Sequence, residues 1–318
     1  MNENNGNIWL IGAGQMSIDY AHVLEALKCR YRVIGRGEQS ALSFKAASGK
    51  NVQTGGLALT LNDSSAPETA IVAVGVEQLA QTATLLINAG TKYILLEKPG
   101  GLSSGEISRL RYHAEKCGTT IMLAYNRRFY SSTQKALQLI KSDGGATSCN
   151  FELTEWSHLI RKLPKATNVK KSWFLGNSSH ITDLAFFICG KPLDWQGWYS
   201  GKLDWHPSSS RFCGAGKTDK GILFSYHADW EAPGRWSIEV STLKRKLIFR
   251  PIEELKETII GSLEIKSIKI DDSLDKEFKP GLFRQTKAFL KKDYSSFCNI
   301  SEQADISKIY SKMAGYEN

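Results

Sequence analysis

The feature that most constrains this chain is a strict alternation over its first ~125 residues between short apolar runs and helical stretches. "IWLIGAG" leads into "SIDYAHVLEAL", "YRVIGRG" into "SALSFKAAS", and "ETAIVAVGV" into "EQLAQTATLLINAG". "KYILLEKP" then precedes the helical "SGEISRLRYHAEKCG", and "TIMLAYNRR" closes the series. Runs this apolar must be covered on both faces, which antiparallel sheets with a wet side do not provide. The pattern therefore predicts a doubly wound α/β domain, with a parallel sheet and right-handed crossovers.

Beyond that point the texture changes. A helix over "SSTQKALQLI" leads to the strand "TSCNFELTEW", a basic loop, and a helix at "SSHITDLAFFICG". Strands are predicted at "WQGWYSG", "GILFSYHADW", "RWSIEVST", "RKLIFRP" and "LEIKSIKI", and two helices, "GLFRQTKAFLKK" and "SEQADISKIYSKMAGY", end the chain. Strands in succession point to an open, mainly antiparallel sheet. At 318 residues the chain exceeds a typical single core. The expected division is a doubly wound α/β domain over 1–124 and a second α/β domain over 125–318. A sheet with one open face leaves apolar area to cover, so a homodimer or homotetramer is expected.

Lys and Arg number 41 against 32 Asp and Glu, a formal charge of +9. Such a balance suits nucleic acid, acidic membrane surfaces or anionic small molecules. No basic arm or aromatic-interleaved ribbon is present, so nucleic acid is set aside. Cysteines 29, 117, 149, 189, 213 and 298 show neither metal-ligand spacing nor a disulfide framework. The start "MNENNGN" lacks an export signature, and no apolar run approaches the ~20 residues of a membrane span. A reduced, cytoplasmic protein without a metal is expected.

"GAGQMS" follows the first strand and opens a helix, the setting in which glycines at 12 and 14 form a tight turn and let a pyrophosphate approach the helix N-terminus. Ser17 stands where a third glycine is usual and is small enough to pack closely. Strand two ends in "VIGRG": Arg36 occupies the place where an acid would bind the ribose 2′-hydroxyl of NAD, and a guanidinium suits the 2′-phosphate of NADP. NADP(H) is favoured over NAD(H).

With "GAGQM", "NAGTKYILLEKP", "AYNRRF", "HITDLAFFICG" and "DWEAPGRW" in place, the chain resembles the Gfo/Idh/MocA family of oxidoreductases nearly end to end. The resemblance implies a Rossmann domain joined to an α/β domain with an open sheet. It also implies that Lys98 of Glu-Lys-Pro polarises the substrate oxygen during hydride transfer, Glu97 positioning the lysine or the nicotinamide, with a cis peptide common before Pro99. His180 is implied as general acid/base, and Asp183 as a neighbour of the substrate or of His180. Many sugar dehydrogenases of the family carry an Asp four residues before that His; here Gly176 stands there, with Asn177 adjacent, so the proton-relay pair is missing. Asn126 matches a position lining the family's site, and Arg128 reads as structural. The cofactor set is thus Gly12, Gly14, Gln15, Met16, Arg36, Glu97 and Lys98, and the substrate set Asn126, Asn177, Asp183 and Arg235.

Arg235 and Trp236 could stack on a sugar or base, though a core role is as natural. The loop bearing Arg161, Lys162, Lys165, Lys170 and Lys171 is either a solvated face or an edge for phosphate or carboxylate. The resulting expectation is an NAD(P)-dependent oxidoreductase acting on a sugar hydroxyl or ketone. Its substrate would be a nucleotide sugar, a sugar phosphate or a sugar acid in surface polysaccharide synthesis. Two alternatives stand beside it: a non-catalytic dinucleotide-binding sensor, and a nicotinamide-assisted glycosidase.

Overall fold

The computed structural model describes residues 8–316, so the opening "MNENNGN" lies outside the described residues. The chain divides into two compact units. One runs to Asn126 and takes back Lys276–Asp305; the other comprises Arg127–Asp275 and the chain from Ile306 onward. The sequence pattern alone marks a single break after residue 124. The returning segment belongs to the first unit because its helix, Leu282–Leu290, buries Leu282 and Phe289 there. With its amide oxygen turned toward them, Gln285 accepts from the N–H groups of Tyr125 and Asn126 at 3.2 and 3.1 Å.

In the first unit, strands β1 (Ile8–Ile11), β2 (Tyr31–Ile34), β3 (Val52–Gln53), β4 (Thr69–Val72), β5 (Tyr93–Leu96) and β6 (Thr120–Leu123) are all parallel. A two-residue strand, Cys298–Asn299, adds antiparallel to β6. The spatial order, Cys298–Asn299, β6, β5, β4, β1, β2, β3, reverses direction of travel between β1 and β4. That is the switch point at which doubly wound sheets open a crevice beyond their carboxyl ends. The helices are α1 (Gln15–Ala26), α2 (Glu38–Ser48), α3 (Gly56–Asp63), α4 (Leu79–Asn88) and α5 (Ser104–Cys117). Helix α5 starts on a capping box: Ser103 Oγ accepts from Glu106 N–H at 3.2 Å while Glu106 Oε2 accepts from Leu102 N–H at 2.7 Å. β1, buried at every position, is the central strand that the apolar run predicts.

The second unit opens with α6 (Ser131–Ser142) and builds an eight-stranded sheet. Its strands are β7 (Ser148–Glu152), β8 (Pro192–Ser200), β9 (Arg211–Thr218), β10 (Leu223–Asp229), β11 (Ser237–Ser241), β12 (Arg245–Phe249), β13 (Lys256–Ile259) and β14 (Lys266–Ser267). The order is β14-β13-β12-β11-β7-β10-β9-β8, antiparallel except between β7 and β10. The helix Ser179–Cys189 lies on the buried face, where Phe186 meets Phe151 and Phe224 edge-on, with ring centroids 5.5 and 5.2 Å apart. The other face is open: β7, β10 and β11 alternate buried and solvated residues, as a one-sided antiparallel sheet requires. β9 escapes the sequence pattern because Gly214 and Gly216 leave gaps in its alternation, gaps filled by Tyr226 and Trp195. The predicted strand over "LEIKSIKI" shrinks to Lys266–Ser267. Among the described residues no helix is long and apolar enough to cross a membrane, and no disulfide joins the six cysteines.

Candidate functional site

Each unit carries its own cluster of chemistry-bearing residues. In the first unit a cavity of about 710 Å³ opens at the carboxyl edge of the sheet. Its floor is the glycine turn after β1. Gly12 has φ +122°, and a Cβ there would press on the Ala73 carbonyl and sit 2.8 Å from Ser17 Oγ. Glycine is therefore obligatory at 12. Ser17 is fully buried beneath the turn and fits where a third glycine is usual. At Gly14 the position of a Cβ meets nothing within 4 Å, an open cradle on the cavity side. Gly14 is also the N-cap of α1 and supplies no side-chain cap, and the first turn holds no acid. The free N–H groups and positive helix end suit a pyrophosphate.

Arg36 forms part of the wall, with Gly37, Ser40, Gly55, Gly56 and Gln78. Gln78, its amide oxygen turned toward the guanidinium, accepts from both Nη atoms at 2.8 and 3.1 Å and fixes the fork. Gly55 and Gly56, at φ +93° and +85°, bring the backbone against the arginine stem, and a Cβ on Gly56 would lie 3.1 Å from Arg36 Cγ. Among the described residues lining the cavity there is no Asp or Glu. Gln15 and Met16 do not line it; Gln15 Nε2 instead donates to Asp19 Oδ1 at 3.1 Å.

Glu97, Lys98 and Pro99 follow β5, with Glu97 N–H still bonded to Val72 O at 3.0 Å. The Lys98–Pro99 peptide is cis, and Pro99 O accepts from Gln303 Nε2 at 2.9 Å. Glu97 Oε1 accepts from the buried Tyr20 hydroxyl at 2.9 Å. Burial raises the Glu97 pKa, against the opposing pull of Lys98, Tyr20 and Lys279. Asn126 is buried, and its Nδ2 donates to Pro280 O at 3.0 Å.

In the second unit the centre is Glu155, just beyond β7 and only 2% exposed. Its Oε1 accepts from Asn177 Nδ2 at 2.9 Å and Ser178 Oγ at 2.7 Å, and its Oε2 lies 3.4 Å from Arg235 Nη1. Burial raises its pKa, opposed by these same donors. Asn177 and Ser178 are presented by a π-helical turn, Phe174–Ser178, that runs directly into the helix carrying His180. The His180 ring is buried, with its centroid 6.2 Å from that of Trp236. Asp183, three residues on, is paired through both oxygens with Arg128, at 2.8 Å to Nε and 2.6 Å to Nη2. That pair is buried, so Arg128 is the structural residue the sequence suggests, and it fixes Asp183. In the basic loop Arg161 pairs with Asp204 at 2.7 Å, and Lys170 Nζ donates to Arg161 O at 2.8 Å.

Gln78, the Gly55–Gly56 pair, Tyr20 and Glu155 are absent from the sequence-derived site. None of them carries a local signal; Glu155 sits in the mixed stretch "NFELTEW".

No family model matches the chain, and no curated protein matches it in sequence. Solved structures do match in shape. A levoglucosan dehydrogenase in complex with NADH superposes with TM-score 0.78 at 16% identity, over 97% of this chain and 96% of that one. A UDP-N-acetylglucosamine 3-dehydrogenase from Acidithiobacillus ferrooxidans gives 0.74 at 13%, over 98% and 97%. An NAD binding oxidoreductase from Klebsiella pneumoniae gives 0.74 at 17%, over 96% and 95%. The chain shares their fold.

Proposed function

We propose that the chain is a nicotinamide-dependent oxidoreductase of the Gfo/Idh/MocA type, acting on a sugar hydroxyl or ketone. The observation that carries this reading is the cavity over Gly12 and Gly14, with its open cradle at Gly14 and an uncapped helix N-terminus. Support comes from the matched structures, which are described as dehydrogenases of sugars or as NAD-binding oxidoreductases. The bound dinucleotide would supply or accept the hydride. Gly12, Gly14 and the first turn of α1 would hold its pyrophosphate. Lys98 is assigned to stabilise charge developing on the substrate oxygen, and His180 to carry the proton.

For the cofactor we favour NADP(H). Although the matched structures name NAD or NADH, Arg36 is the charged group on the cavity wall and no acid accompanies it. Fluorescence titration with NADPH and NADH tests this. NADPH is expected to bind more tightly, and Arg36→Ala to weaken NADPH by ~10- to 100-fold while leaving NADH nearly unchanged. Equal loss for both would remove Arg36 as the 2′-phosphate reader. A Lys98→Met variant that binds cofactor yet transfers no hydride would support the enzyme over a non-catalytic sensor; unchanged turnover would refute the lysine's role. The substrate we favour is an acidic or activated sugar, consistent with the charge of +9, and its use in surface polysaccharide synthesis is part of the same proposal.

A further inference from the structure

Two guanidinium groups of the second unit, the partly buried Arg127 and the half-exposed Arg235, gather on one indole. The Arg127 guanidinium lies 4.8 Å from the Trp236 ring centroid and 5.8 Å from that of Tyr130. Its Nε is buried without an acceptor among the described residues. Burial lowers its pKa; Glu253 and Glu155 attract it and Arg235 repels it. Arg235 covers the same indole at 4.4 Å and that of Trp156 at 4.9 Å. Trp236 is 6% exposed, and its Nε1, a group that can only donate, likewise has no acceptor among the described residues. Cation–π contact offsets part of the cost of desolvating a guanidinium, but it leaves the hydrogen-bonding fork unused. Glu155 does not close the balance, because one oxygen is taken by Asn177 and Ser178 and the other reaches Arg235 only at 3.4 Å.

We propose that Arg127, Arg235 and the Trp236 N–H form an oxyanion site for a carboxylate or phosphate carried on the substrate. This rests on the reading of the chain as a sugar oxidoreductase and names the chemical class of its sugar. Guanidinium forks match both anions in shape and charge. A single indole separates the arginines from His180, whose ring centroid is 6.2 Å from that of Trp236. An anion held there is on the sugar itself, near the carbon whose proton His180 would handle, and not at the far end of a long nucleotide carrier. In the basic loop Arg161 and Lys170 already engage Asp204 and the loop backbone.

The test is calorimetric titration of the full chain at low salt with inorganic phosphate and, separately, with D-glucuronate. Wild type should bind one or both saturably, and which of them binds names the group. Arg127→Lys and Arg235→Lys keep the charge but lose the fork, and each should weaken binding about tenfold or more. A Lys162→Gln, Lys165→Gln double variant should bind like wild type. Circular dichroism on each variant reports folding, and because the wild-type titration stands by itself, a misfolded variant does not rescue the idea. Absence of saturable binding to wild type, binding by both arginine variants as tight as by wild type, or loss confined to the loop variant would each overturn the proposal. NADPH titration of the same samples reads the first unit separately. Anion binding without NADPH binding would keep this site and sink the dehydrogenase reading; the reverse would sink this site alone.

Discussion

At the scale of single residues, the parts of the site that were readable in the sequence are those fixed by local backbone chemistry. Gly12 is legible because a turn at φ +122° admits no other residue, and Arg36 because it ends a strand at a known offset from the glycines. Gln78 and the Gly55–Gly56 pair were not, because only the winding of the sheet brings them to Arg36. Glu155 is the most consequential omission. A buried acid that organises three donors leaves no periodic trace. Glu155→Ala strands Asn177, Ser178 and Arg235 and should cost ~2–3 kcal/mol in a urea melt. Glu155→Gln, which keeps an acceptor, should cost about half as much. Equal melts for wild type and Glu155→Ala would show that the cluster does not stabilise the fold.

At the scale of elements, continuous apolar runs and the longer helices were readable, whereas glycine-interrupted β9, the two-residue β3 and the polar β13 were not, and β14 was read too long. Short pairings of that kind are imposed by neighbours and not by their own pattern. The π-helical turn before His180 is another such case, and its stability depends on a distant clamp. The Tyr316 hydroxyl accepts from Phe174 N–H at 2.9 Å and donates to His206 Nε2 at 2.9 Å, while His206 Nδ1 donates to Ser209 O at 2.6 Å. The ring must stay neutral to accept, and burial lowers its pKa to about 4. A histidine with its folded pKa below the unfolded ~6.5 binds its proton better when unfolded, so stability falls as pH drops from ~6.5 toward 4 and is level above that window. Between pH 7 and pH 5 the wild type should lose ~2 kcal/mol from this group. His206→Gln should lose correspondingly less over the same interval. An identical pH response in both proteins would exclude His206 as the titrating group.

At the scale of the whole molecule, the two-domain α/β architecture was readable, but the return of Lys276–Asp305 to the first unit was not, because an amphipathic helix does not record which core it enters. The open sheet of the second unit bears on assembly. Its edge strand β8 exposes Leu193, Trp198 and Tyr199, and Leu223 on β10 is also largely exposed. Apolar residues gathered on one sheet favour self-association. Light scattering should therefore return two or four times the chain mass of 35.4 kDa. A Trp198→Asp, Tyr199→Asp variant should shift toward the single-chain mass, and a monomeric wild type at micromolar concentration would defeat the expectation. The path of the chain between its units has a further consequence, for descent. Because the backbone changes unit after residues 126, 275 and 305, a single recombination joint cannot give a descendant the first unit of one ancestor and the second unit of another. Such an exchange needs three coordinated joints, so in chains wound this way either unit changes by point substitution more readily than by shuffling.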